Sequence, residues 1–146
     1  MLEGFQSRCK SNARIIVSKD TGTQNKAKHI ADNPAEQLVR QYKLDDYIRN
    51  IPCCDFALLN DDLRHIYLIE LKGSDPLYAT EQLESAHHML EDELNGYVFF
   101  FRCIYQSGVH GLQSRKLIQI KKMYGTWKGH AIFEFKRNQM EECINI

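Results

Sequence analysis

The stretch Tyr97-Val98-Phe99-Phe100-Phe101-Arg102-Cys103-Ile104-Tyr105 constrains the fold more than any other part of the chain. It is apolar without polar alternation and rich in β-forming residues, so it is stable as a strand only when both of its faces are covered. That demands a layered α/β domain, and the run is expected at the centre of the sheet. The 146 residues suit one such domain, expected to span 1–146, rather than two. With 43% hydrophobic and 26% charged residues, the composition excludes a disordered, collagen-like or disulfide-stapled chain.

Five cysteines (Cys9, Cys53, Cys54, Cys103 and Cys143) contain no C-x-x-C pair, which disfavours a zinc ribbon or a redox pair. Met1 is followed by polar residues, and the longest apolar run is too short for a bilayer. A reduced, cytoplasmic protein without a membrane partner is expected.

Charge is balanced overall and uneven locally. Residues 1–31 carry six Lys or Arg against two acids, residues 76–95 carry five acids and no Lys or Arg, and residues 115–137 carry seven basic residues against Glu134. No repeat, low-complexity tract or Pro/Gly/Ser-rich linker divides the chain.

Asn33-Pro34-Ala35-Glu36 has the residues of a helix start, with Asn as cap, Pro in the first turn and Glu36 completing a capping box. A helix is expected from there to about Arg49, with Leu38, Val39 and Tyr42 on its apolar stripe. Cys53 to Leu59 and His65 to Lys72 read as an antiparallel hairpin turning at Asn60-Asp61-Asp62. Gly73-Ser74-Asp75-Pro76 opens a second helix to roughly Glu93, ended by Asn95-Gly96. Beyond the apolar run, Lys116 to Met123 reads equally as a strand or a short helix, and His130 to Lys136 alternates as a strand. Ala13 to Ser18 is one further strand, and Lys19 to Lys28 a polar loop.

Chemistry concentrates at the end of His65-Ile66-Tyr67-Leu68-Ile69-Glu70-Leu71-Lys72. Alternation puts Glu70 and Lys72 on one face, and an unpaired buried carboxylate is costly, so that strand end must be wet or matched by a cation. In a hairpin turning near Asp61, Asp55 lies close to Glu70. Two carboxylates and a backbone carbonyl make an oxygen-rich half shell of the kind Mg2+ or Mn2+ takes, and Lys72 beside it can act on a water or meet developing negative charge.

These residues resemble the PD-(D/E)XK, or restriction-endonuclease-like, nuclease superfamily: an acid at the start of one strand (Asp55), Glu70-Leu71-Lys72 at the end of the next, then a helix and an apolar strand. The resemblance covers about residues 33–105, and Cys54 stands where the family usually has proline. It implies a central mixed β-sheet flanked by helices and a Mg2+-dependent nuclease, Mn2+ substituting, with DNA the expected substrate. Asp55, Glu70 and the Leu71 carbonyl would hold the metal and Lys72 would work on the water. Glu36, on the helix before the hairpin, would be an accessory ligand, and Gln82 would match a glutamine that some branches carry on the following helix.

Simpler readings stand beside these. Glu70 and Lys72 also suit a same-face ion pair. Capping alone explains Glu36, and a solvated helix position alone explains Gln82. The basic extension, about 112–137, mixes Lys116, Lys121, Lys122 and Lys128 with Tyr124 and Trp127, which suits phosphate contacts with base stacking as well as it suits a lysine-protected sheet edge. The rival functions are a catalytically silent binding or assembly subunit of a larger complex, and a junction resolvase that would need a dimer. A duplex cut needs two active sites, which a homodimer would supply.

Overall fold

The computed structural model describes residues 1–22, 26–72, 75–106 and 111–146; the side chains of Lys72 and of residues 111–113 lie outside that description. The strands are β1 (Ile15–Lys19), β2 (Lys28–Asp32), β3 (Val39–Lys43), β4 (Phe56–Asn60), β5 (His65–Lys72), β6 (Val98–Tyr105), β7 (Thr126–Trp127), β8 (His130–Ala131), β9 (Phe133–Arg137) and β10 (Gln139–Cys143). The helices are α1 (Pro76–Leu90) and α2 (Gly111–Tyr124).

The main sheet has the order β3-β4-β5-β6-β9, and a smaller one has the order β1-β2-β10. In the main sheet β4 runs antiparallel to both its neighbours, β3 and β5, whereas β6 is parallel to both β5 and β9. This is a mixed α/β sheet in three layers. On one face, Ala79, Leu83, Ala86 and Leu90 of α1 pack on Ile66, Leu68, Phe101 and Cys103. On the other, Ile16, Ala31 and Met140 of the small sheet cover Phe56, Leu58, Tyr67, Ile69, Phe100 and Ile104. Both faces of β5 and β6 are thus dry, as their uninterrupted apolar sequences require. Leu68 is fully buried in this packing, so Leu68→Ala costs about 2–5 kcal/mol.

Three expectations are met closely, two are corrected, and one left open between strand and helix is decided. The β4–β5 hairpin, α1 and the strand at β6 form, with β4 starting at Phe56 rather than at Cys53, and Asp75 caps α1 by accepting the Tyr78 N–H at 3.1 Å. Gly96 (φ +91°) then turns the chain into β6 in a conformation that glycine adopts without strain.

The helix expected over 33–49 does not form. Asn33 spends its side chain on a tight turn, donating to Ala13 and Gln37 carbonyls and accepting the Gln37 N–H, and Glu36 sits at φ +49°, which ends any helical path. The chain then pairs with β4 as β3, because Val39 and Tyr42 gain burial there that an isolated helix would not supply. The 116–123 segment resolves to the helix α2. Finally, the middle strand of the sheet is β5 rather than β6, since β9 adds on the far side. β2 and β10 are strands that no local sequence pattern indicates.

Candidate metal centre

The register brings the two acids of the hairpin together. Phe56 of β4 is opposite Ile69 of β5, so Asp55, one residue earlier, faces Glu70. The Asp55 Oδ2 accepts the Leu71 N–H at 2.8 Å, and the Glu70 carboxyl stands within hydrogen-bonding reach of Asp55. Glu70 is 3% exposed and Asp55 half-buried. Lys72 ends the same strand opposite Tyr105 of β6; its side chain lies outside the described residues.

Two further acids approach Asp55. Ligand oxygens of Asp20, just after β1, Asp45, in the single 3-10 turn after β3, and Asp55 all lie within 4.8 Å of one another. Backbone bonding sets this approach, because the Leu44 N–H donates to the Asp55 carbonyl at 2.8 Å and holds the 3-10 turn against the start of β4. No sequence pattern announced Asp20 or Asp45: they lie on separate loops and meet Asp55 only through the two sheets.

Crowded carboxylates oppose one another's ionisation. Burial, then the charges of Asp20 and Asp45, raise Asp55 to about 7, against the bond from the Leu71 N–H, which favours the anion. Asp45 is also raised, chiefly by burial, although Lys43 Nζ stands 3.8 Å away. All the donors are carboxylate oxygens, which is the set a hard divalent cation prefers. The same groups fit neither zinc in a thiolate site nor a phosphate.

The other proposed site residues separate into two groups. Gln82, on α1, donates to the Cys53 carbonyl at 3.3 Å, which ties the helix to the backbone two residues before Asp55. Its own position is therefore beside the cluster. Glu36 is not: it precedes Val39, which pairs with Asn60 at the turn end of the hairpin, roughly 13 Å of strand from the Phe56 end. Glu36 is exposed there, its carbonyl taking a bond from Asn12.

The aromatic and basic residues of the C-terminal extension also divide. Tyr124 packs on Phe101 and Phe133, and Trp127 packs edge-on against His65 with ring centroids 4.7 Å apart. Both rings serve the core, and His65 is at the opposite end of β5 from Glu70. Lys128 lies over the Trp127 ring and Lys121 pairs with Glu134 at 2.8 Å. Lys116 and Lys122 are exposed on α2. The basic groups at the acidic end of the sheet are instead Lys19, Lys43 and Arg137, the last opposite Tyr105. Among the described residues no helix is long and apolar enough to cross a membrane. No protein-family model, curated protein or solved structure matches the chain.

Proposed function

We propose that the chain is a Mg2+-dependent phosphodiesterase acting on nucleic acid, with DNA as substrate, of the PD-(D/E)XK or restriction-endonuclease-like kind. The observation that carries this reading is the meeting of Asp55 with Glu70 at the end of the β4–β5 hairpin, at hydrogen-bonding range and one residue from Leu71. The order of elements supports it: the antiparallel β4–β5 hairpin, the helix α1, and the strand β6 parallel to β5 follow in the order of the resemblance. Against the closest form of the resemblance, β3 is preceded by a turn rather than by a helix bearing Glu36.

Asp55, Glu70 and the Leu71 carbonyl are the groups that would hold Mg2+ or Mn2+, with Asp20 and Asp45 completing an oxygen shell or serving a second ion. The bound cation supplies a polarised phosphoryl oxygen and a more acidic water. Lys72, the last residue of β5, would carry the positive charge that meets charge developing on the phosphate. Gln82 positions the backbone leading into Asp55. Lys19, Lys43 and Arg137 would contact the phosphodiester backbone, with Lys116 and Lys122 further out; such contacts bind without reading sequence.

Incubation of supercoiled plasmid and of a four-way junction with Mg2+, Mn2+ or EDTA tests this. Metal-dependent cleavage lost by at least about a hundredfold in Asp55→Asn, Glu70→Gln and Lys72→Ala, with folding intact, is the expected result. Cleavage of the junction alone marks a resolvase. Metal binding without any cleavage marks a silent assembly module and overturns the enzyme reading.

A further inference from the structure

The main sheet ends on an open strand. Among the described residues no strand pairs with the outer side of β9. The Ile132 carbonyl accepts the Phe101 N–H and the Asn138 N–H donates to Tyr105, so the even-numbered residues of β9 face β6. Phe133, Phe135 and Arg137 therefore aim their backbone groups outward. Among the described residues, the Phe135 N–H donates to the carboxylate of its own neighbour Glu134, at 3.2 Å, and to no strand. An unpaired edge of this sort is a template for another strand.

We propose that this edge pairs with the β9 of a second copy of the chain, antiparallel and centred on Phe135. The charge pattern selects both the partner and the register. Outward-facing residues must oppose outward-facing residues, so only slips of two are allowed. With Phe135 opposite its own copy, Glu134 opposes Lys136 and Lys136 opposes Glu134, giving two cross-strand attractions. A slip of two in one direction sets Glu134 against Glu134, and in the other Lys136 against Lys136. Self-pairing is thus favoured in one register and opposed in its neighbours.

The flanking surface fits the same partner. A two-fold axis normal to the sheet keeps the helices on one side and brings the two α2 helices next to each other. There Ile118 is 54% exposed beside a groove of about 290 Å³ lined by Tyr105, Ser114, Leu117, Lys121, Glu134 and Phe135. Lys121, which now reaches Glu134 across the edge, would share that carboxylate with the partner copy's lysine. The product is one continuous sheet made of two five-stranded halves. Because β9 is parallel to β5, the two acidic clusters lie at opposite ends of it and stay open. The proposal stands whether or not those clusters are nuclease sites.

Sedimentation equilibrium of the full chain, from low to high micromolar, should report a dimer. Glu134→Lys and Lys136→Glu, alone, should each weaken it roughly tenfold or more, since each turns two attractions into two repulsions. Mixing those two variants should restore dimers, because each chain then opposes its complement at both pairs. Ile118→Arg, at an exposed helix position, is a second way to weaken the contact, and circular dichroism checks that each variant is folded. A monomer throughout the concentration range overturns the proposal. So does a dimer indifferent to these changes, or a mixture that fails to re-form.

Discussion

Two clusters of charge among the described residues are built in opposite ways. At one end of the main sheet, Asp20, Asp45 and Asp55 crowd together beside Glu70, and Asp55 is driven up to about 7. Between the two sheets, Glu142 of β10 is clasped by Arg102 of β6 at 2.9 Å and by His29 of β2 at 2.6 Å, and it is pulled down to about 2. Burial penalises the anion in both, but at Glu142 the bonds from His29 and the charge of Arg102 outweigh it. A carboxylate whose counter-charges are supplied by the fold is a structural joint. Carboxylates left to repel one another are poised for a cation from solution. The same residue type therefore has a structural role in one place and a binding role in the other, and only the neighbours distinguish them.

Removing the counter-charge from the closed cluster is expected to have the largest effect. Arg102 is 3% exposed and also donates to the Phe101 and Ile132 carbonyls, so Arg102→Met leaves Glu142 without its cation and should cost about 3–5 kcal/mol in urea unfolding. A loss below about 1 kcal/mol would show that the joint carries no such weight.

The two clusters should also give stability opposite slopes with pH. Asp55 binds its proton more tightly in the folded state than its ordinary 3.8, so in metal-free buffer it stabilises the fold at low pH, and this contribution is lost as pH rises through about 7. Glu142 is the reverse, since its contribution is present above 4.5 and is lost as pH falls towards about 2. Urea titrations in EDTA should thus find a maximum near mildly acid pH and a decline of order 1–3 kcal/mol towards pH 8. Millimolar Mg2+ should remove that decline, because a cation binding the folded state offsets the repulsion. Stability that stays level with pH in EDTA would remove the electrostatic contrast.

Asp45→Asn sharpens the comparison with the smallest effect. Asp45 is the exposed member of the cluster, so relieving its repulsion should stabilise the metal-free protein at pH 8 by only about 0.5 kcal/mol. The same change should weaken Mg2+ binding in a calorimetric titration several-fold. Stability and metal affinity moving together, rather than oppositely, would mean that Asp45 is not part of the centre.

Particular residues explain how much was legible in advance. Two segments carry nearly the same cap-then-proline start, Asn33-Pro34 and Asp75-Pro76. Only the second becomes a helix, because its later residues form an apolar stripe that the sheet buries, through Ala79, Leu83, Ala86 and Leu90. After Asn33, Leu38 stays 44% exposed while Val39 and Tyr42 are buried by pairing with β4, an advantage no local pattern displays. Likewise the mixture of lysines with Tyr124 and Trp127 suggested a stacking surface, yet both rings complete the core, since whether an aromatic faces solvent depends on what lies above it.

The sequence by itself determined the hairpin, the acid facing Glu70 across it, α1 and the doubly covered strand β6. Alternation, turn residues and caps act over a few positions and need no knowledge of the rest. Tertiary structure decided that β3 replaces a helix, that β9 is left as the open edge, and that Asp20 and Asp45 join Asp55. Those outcomes depend on burial and closure between segments far apart in the chain, where the free energy belongs to the packed whole and to no single stretch of residues.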